Sequence, residues 1–106
     1  MLELMVLTVP DCPNGPVMLE LLAGFLAEHP DARLVCRVVE DEAEAVRLGM
    51  HGSPTLLANG IDPFAAPGAP ASVSCRIYRD GAGRSGGAPP AGALRLALAR
   101  AESGDA

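Results

Sequence analysis

Tryptophan and lysine are missing altogether from these 106 residues, and the aromatic complement is only Phe25, Phe64 and Tyr78. With a net charge of −5 and eight basic residues, all Arg, the chain supplies neither the phosphate neutralisation nor the stacking surface that nucleic-acid binding needs. Nucleic acid is therefore not an expected partner. No apolar run approaches the ~20 residues of a bilayer crossing, so no membrane association is expected. Met1 to Val9 has no basic start, carries Glu3 and runs into Pro10 and Asp11 where a leader would need small residues; a cytoplasmic protein is expected. Nor is there a C-x-x-C pair. Cys12, Cys36 and Cys75 are an odd set that fits neither a disulfide framework nor a structural zinc site, so no metal and no cofactor is expected. In a reducing compartment at least one of the three is a free thiol. The lack of Lys beside abundant Ala, Gly, Pro and Arg points to a GC-rich bacterial genome.

What is present suits a packed core. The chain is 49% hydrophobic and 20% charged, and its length fits one domain spanning residues 1–106. Glu3 to Val9 is rich in Val, Leu and Thr and ends at Pro10, which cannot donate to a ladder; it reads as a first strand. Pro16 suits a first helical turn, and Val17, Met18, Leu21, Leu22, Phe25 and Leu26 repeat at helical spacing until His29 and Pro30. Arg33 to Val39 is almost continuously apolar, the pattern of a strand buried on both faces. Asp41 with Glu44 three residues later forms a capping-box variant, predicting a short helix from Glu42 to Leu48 stopped by Gly49.

Thr55 to Ala58 enters a turn at Asn59-Gly60, and Val73 to Tyr78, closed by Asp80-Gly81, reads as a strand pairing with it in antiparallel fashion. The connections Ile61 to Ser72 and Gly81 to Pro90 read as irregular loops. Ala91 to Glu102 places Leu94, Ala97, Leu98 and Ala101 on one face of a terminal helix, with Glu102 and Asp105 at a solvated end. The expected order is βαβαββα, an α/β fold with a mixed four-stranded sheet flanked by helices.

Cys12 falls where chemistry can be built. Cys12-Pro13-Asn14-Gly15-Pro16 joins a strand to a helix, and the unpaired N–H groups and dipole of a helix start favour an anion such as a thiolate. Asp11 opposes that effect with its own charge. A second feature is Gly52-Ser53-Pro54-Thr55-Leu56-Leu57 followed by Asn59-Gly60, where Pro54 opens a strand either as an edge stop or as a cis bond.

Together these segments resemble the thioredoxin-like superfamily over roughly Leu4 to Gly60, with vaguer similarity to the last helix. The resemblance implies a thioredoxin-like fold in which Pro54 is the cis proline facing Cys12. It also implies that Ser53 is the substrate-binding residue whose backbone pairs with a protein or small-molecule thiol or disulfide. The chain departs from the family at Gly15, where a C-x-x-C motif has its second thiol. That leaves monothiol chemistry at Cys12, partnership with a distant cysteine, or a catalytically silent binding module.

Cys75, in the late strand and beside Arg76, is the candidate distant partner, so Cys12 and Cys75 are the candidate catalytic residues. A weaker resemblance, to alkylmercury lyase, rests on the same two cysteines and implies a soft-metal compound as ligand. That enzyme has an aspartate where this chain has Gly15, leaving Asp11 or Asp62 as conjectural proton donors. Cys36, mid-strand among apolar residues, reads as a small core residue. His29 reads as a complement to its helix C-terminus. His51 is either a solvated loop residue or a neighbour of the Cys12 loop. None of these motifs encodes the oligomeric state.

Overall fold

Alternation along the first strand sets the layers of the molecule. The computed structural model describes residues 2–79 and 85–103. In β1 (Glu3–Thr8), Leu4 and Val6 point to one face, while Met5 and Leu7 point to the other. Because a strand has a side-chain period of two, an uninterrupted apolar run puts hydrophobic groups on both faces. On the first face Leu4 and Val6 join Met18, Leu22 and Phe25 of α1 (Gly15–Glu28) and Leu94 and Leu98 of the last helix, α3 (Ala91–Ser103). On the second, Leu7 packs with Ala45 of α2 (Glu42–Leu48), Val39, Met50 and Leu57.

The helix ends follow the capping chemistry read from the sequence. Asp41 is the N-cap of α2, its Oδ1 accepting the Glu44 N–H at 2.8 Å, and Gly49 closes the helix in the left-handed region at φ 80°. His29 ends α1, with Nδ1 3.0 Å from the Phe25 carbonyl oxygen and its ring stacked on Phe25. Asn59 and Gly60 both take positive φ, 51° and 84°, as a two-residue hairpin turn requires.

Beyond β1 the sheet differs from expectation in two ways. β2 (Arg33–Val38) pairs with β1 in parallel, residue for residue from Glu3↔Arg33 to Thr8↔Val38, and β4 (Thr55–Ala58) pairs with β1 in antiparallel register. Among the described residues the sheet is three-stranded, in the order β2-β1-β4, rather than four-stranded. The expected β4 hairpin stops at a single Ala58↔Ile61 bridge, because Pro63 follows two residues later and cannot donate to a ladder. The anticipated strand Val73 to Tyr78 divides instead into β5 (Ser72–Cys75) and β6 (Tyr78–Arg79). β5 pairs in parallel with the three-residue β3 (His51–Ser53), and β6 pairs antiparallel with β7 (Ser85–Gly86).

The second correction concerns burial. β2 lies at the sheet edge and five of its six residues are exposed, Cys36 among them, so Cys36 is not the core residue its apolar setting suggests. Apolar neighbours in sequence report strand character, whereas burial on both faces requires helices to cover both, and α2 is only seven residues long. The expected turn at Asp80-Gly81, the first part of the 81–90 loop and Asp105 lie outside the described residues. Among the described residues no helix is long and apolar enough to cross a membrane. The chain is a mixed α/β protein, with three helices among the described residues.

Candidate functional site

Ser53 is the hub. It is almost fully buried, and its hydroxyl accepts the Val9 N–H at 3.0 Å, anchoring the start of the Cys12 loop. From there the loop closes on itself: the Cys12 N–H donates to the Val9 carbonyl and the Gly15 N–H to the Cys12 carbonyl, both at 3.3 Å. Asp11 takes a left-handed φ of 59° to make this turn. Cys12 is half-buried and its thiol is free.

Gly15, where a second thiol would stand in a C-x-x-C motif, is buried at the start of α1. A Cβ there would come within 3.2 Å of Thr8 Cγ2, a close contact that the Thr8 methyl must yield to by a few tenths of an ångström. After β7, Gly87 closes on the same turn, where a Cβ would fall 2.1 Å from Asn14 Nδ2.

On the other side of Ser53 the chain meets its own β5. The Ser53 carbonyl accepts the Arg76 N–H at 3.0 Å, and Ser53 and Cys75 are ladder partners. The backbone acceptor expected to pair with a substrate is therefore occupied by a strand of the same molecule. That strand carries Cys75, an exposed free thiol. The Ser53–Pro54 peptide is cis, Pro54 is buried, and its carbonyl accepts the Tyr78 hydroxyl.

A charged cluster holds this arrangement from behind. Asp62 receives both terminal nitrogens of Arg76, at 2.6 and 3.2 Å, the Nδ1–H of His51 at 2.8 Å and the Phe64 N–H at 2.9 Å. The Asp62 and Arg76 side chains are only 3% and 9% exposed. Burial pushes the Asp62 carboxyl up, but hydrogen bonds from Arg76, His51 and Phe64, with the Arg76 charge, hold it below the usual carboxylate range. Arg76 also reaches Thr55 Oγ1 and lies 4.6 Å from the Tyr78 ring centre. Burial pushes the Tyr78 hydroxyl well up; Arg76 opposes the shift and Asp62 adds to it.

His51 is thus not a solvated loop residue: it opens β3, half-buried, and its ring is one of the groups on Asp62. Arg76 is the residue that sequence reasoning passed over, as merely a basic neighbour of Cys75. Its signal was a lone Arg within an otherwise uncharged β segment, a charge that needs a buried carboxylate if the strand packs inward. Gly52 completes the junction: its φ is 113°, and a Cβ would meet Arg76 Cβ at 2.9 Å.

A surface groove of about 350 Å³ lies elsewhere, between α1 and α3 along Val17, Leu21, Phe25, Leu94 and Leu98. It contains no cysteine, and the polar chemistry of the molecule is gathered around Ser53 instead. No protein-family model, curated protein or solved structure matches the chain.

Proposed function

We propose that the chain is a small thioredoxin-like thiol protein in which Cys12 and Cys75 act as a pair on thiol and disulfide substrates. Support for the fold comes from the strand order β2-β1-β4, from α1 and α3 sharing one face with α2 on the other, and from the cis Pro54 that opens β4. The observation that carries the function is the double engagement of Ser53, whose hydroxyl holds the Cys12 loop while its backbone pairs with the Cys75 strand.

In the proposed cycle the Cys12 thiolate attacks one sulfur of a substrate disulfide. The substrate S–S bond breaks, a mixed disulfide forms on Cys12, and the departing sulfur leaves as a thiolate that takes up a proton. The Cys75 thiolate then attacks the Cys12 sulfur, releasing the second substrate thiolate and closing a Cys12–Cys75 disulfide. Two electrons pass to the substrate, and an external dithiol returns them. Cys75 thereby takes the resolving role that Gly15 leaves open.

A soft-metal compound would draw on the same two sulfurs. Cleavage of an organomercurial also needs an acid to protonate the leaving carbon, and Asp62, held ionised by Arg76 and His51, is poorly suited to that role. Thiol exchange is the better supported chemistry.

The test is mixed-disulfide trapping with glutathione disulfide. Cys75→Ser should accumulate glutathione on Cys12, while the parent chain resolves it and Cys12→Ser does neither. Equal exchange by parent and Cys12→Ser would overturn the assignment and leave a silent binding module.

A further inference from the structure

The segment that anchors the Cys12 loop uses its main-chain acceptors within the chain. Between residues 50 and 54 the carbonyls of Met50, Gly52, Ser53 and Pro54 each accept a hydrogen bond. Their donors are the Ser72 N–H at 3.0 Å, the Thr55 hydroxyl, the Arg76 N–H at 3.0 Å and the Tyr78 hydroxyl. The Cys12 turn is closed in the same way. The Val9 carbonyl accepts the Cys12 N–H, the Cys12 carbonyl accepts the Gly15 N–H, and the Val9 N–H goes to the Ser53 hydroxyl. An extended polypeptide is held by adding itself to a free strand edge, where main-chain hydrogen bonds supply the affinity. Here β5 already fills that edge of β3 and is fastened there by Asp62 on Arg76.

We infer that the substrates of the Cys12–Cys75 pair are low-molecular-weight disulfides, and that disulfides within extended polypeptide segments are refused; this rests on the thiol reading of the two cysteines. A small disulfide needs no ladder. It has only to bring one sulfur to the half-buried Cys12 thiol, with the second sulfur leaving in line. A polypeptide carries residues on both sides of its cysteine, and those residues find the β3 edge taken. To pair there they must displace β5, breaking the Arg76 N–H bond to Ser53 and disturbing a nearly buried ion pair. Nor can a strand enter between β3 and β5. The two backbones are so close at Gly52 that a Cβ there would meet Arg76 Cβ at 2.9 Å.

Two substrates of matched chemistry test this: N-acetylcysteine amide, and a peptide of about six residues with a central cysteine, the length of an ordinary strand. Each is presented as its mixed disulfide with thionitrobenzoate. In a Cys36→Ser/Cys75→Ser variant the Cys12 thiolate attacks the cysteine sulfur, the S–S bond breaks, and thionitrobenzoate leaves as its coloured thiolate. Dividing each rate by that of free 2-mercaptoethanol with the same substrate removes intrinsic differences. The peptide should react about tenfold or more slowly than the single residue, the scale of one lost backbone hydrogen bond. Adding Asp62→Asn, or Gly52→Ala, loosens β5 and should narrow the gap by raising the peptide rate. Peptide rates equal to or above those of the single residue would overturn the inference and leave the thiol reading standing. So would a gap that neither added substitution narrows. Failure of Cys12 to react with either substrate would overturn the thiol reading, and the inference with it.

Discussion

Two parallel ladders in this molecule are held together by different physics. β1 and β2 pair through six consecutive residues, and β1 itself is packed on both faces by apolar side chains. β3 and β5 share only two register positions with an irregularity between them, and their junction is fixed by Gly52, by the Arg76 N–H on the Ser53 carbonyl and by the Asp62, Arg76 and His51 cluster. One ladder is stabilised by area removed from water and needs no particular partner. The other depends on individual polar contacts, each of which fails if its partner is lost. The polar ladder is the one that carries Cys75.

Removing one partner from the polar ladder should have the largest effect. Asp62→Asn strands a nearly buried Arg76 charge and should cost about 3–5 kcal/mol in urea unfolding. The same residue ties stability to acid. Because the folded carboxyl titrates below its unfolded value of about 4, its contribution is complete above that pH and is lost as the pH falls through the folded value. The parent should therefore lose stability on acidification below about pH 4, and Asp62→Asn should lose less. Equal acid slopes in the two proteins would contradict the assigned role of Asp62.

On the apolar side, Leu7→Ala in β1 should cost about 2–5 kcal/mol, since Leu7 is fully buried beneath α2. Gly52→Ala should cost about 1–3 kcal/mol through its positive φ, with more added where the new methyl meets Arg76 Cβ. In that variant amide exchange should quicken along β3 and β5 before β1 and β2; uniform acceleration would argue against two distinct ladders. The smallest effect belongs to Val35→Ala on the exposed β2 edge, expected within about 0.5 kcal/mol of the parent.

The same division explains what could be read before the fold was known. α1, α2, β1 and β4 follow from apolar periodicity, Pro16, the Asp41 cap and the Asn59-Gly60 turn, all local signals carried within a few residues. The cis Pro54 was legible through a resemblance that spans both loops. Cys36 was misplaced because β2 has the composition of a central strand while its position at the edge depends on where the chain goes afterwards. The pairing of β5 with β3 was not legible either. It is decided by Asp62 meeting Arg76 across fourteen residues and by a glycine close enough to admit the strand, and neither contact leaves a periodic trace.

The central claim is that Ser53 brings two thiols into one working pair. Its most direct test is equilibration of a Cys36→Ser variant with mixtures of reduced and oxidised glutathione, followed by peptide mapping of the disulfides. The account predicts one intramolecular Cys12–Cys75 disulfide, formed in preference to glutathione adducts across the range and abolished by Asp62→Asn as β5 loosens. Separate glutathione adducts on Cys12 and Cys75, with no peptide linking them at any ratio, would contradict it.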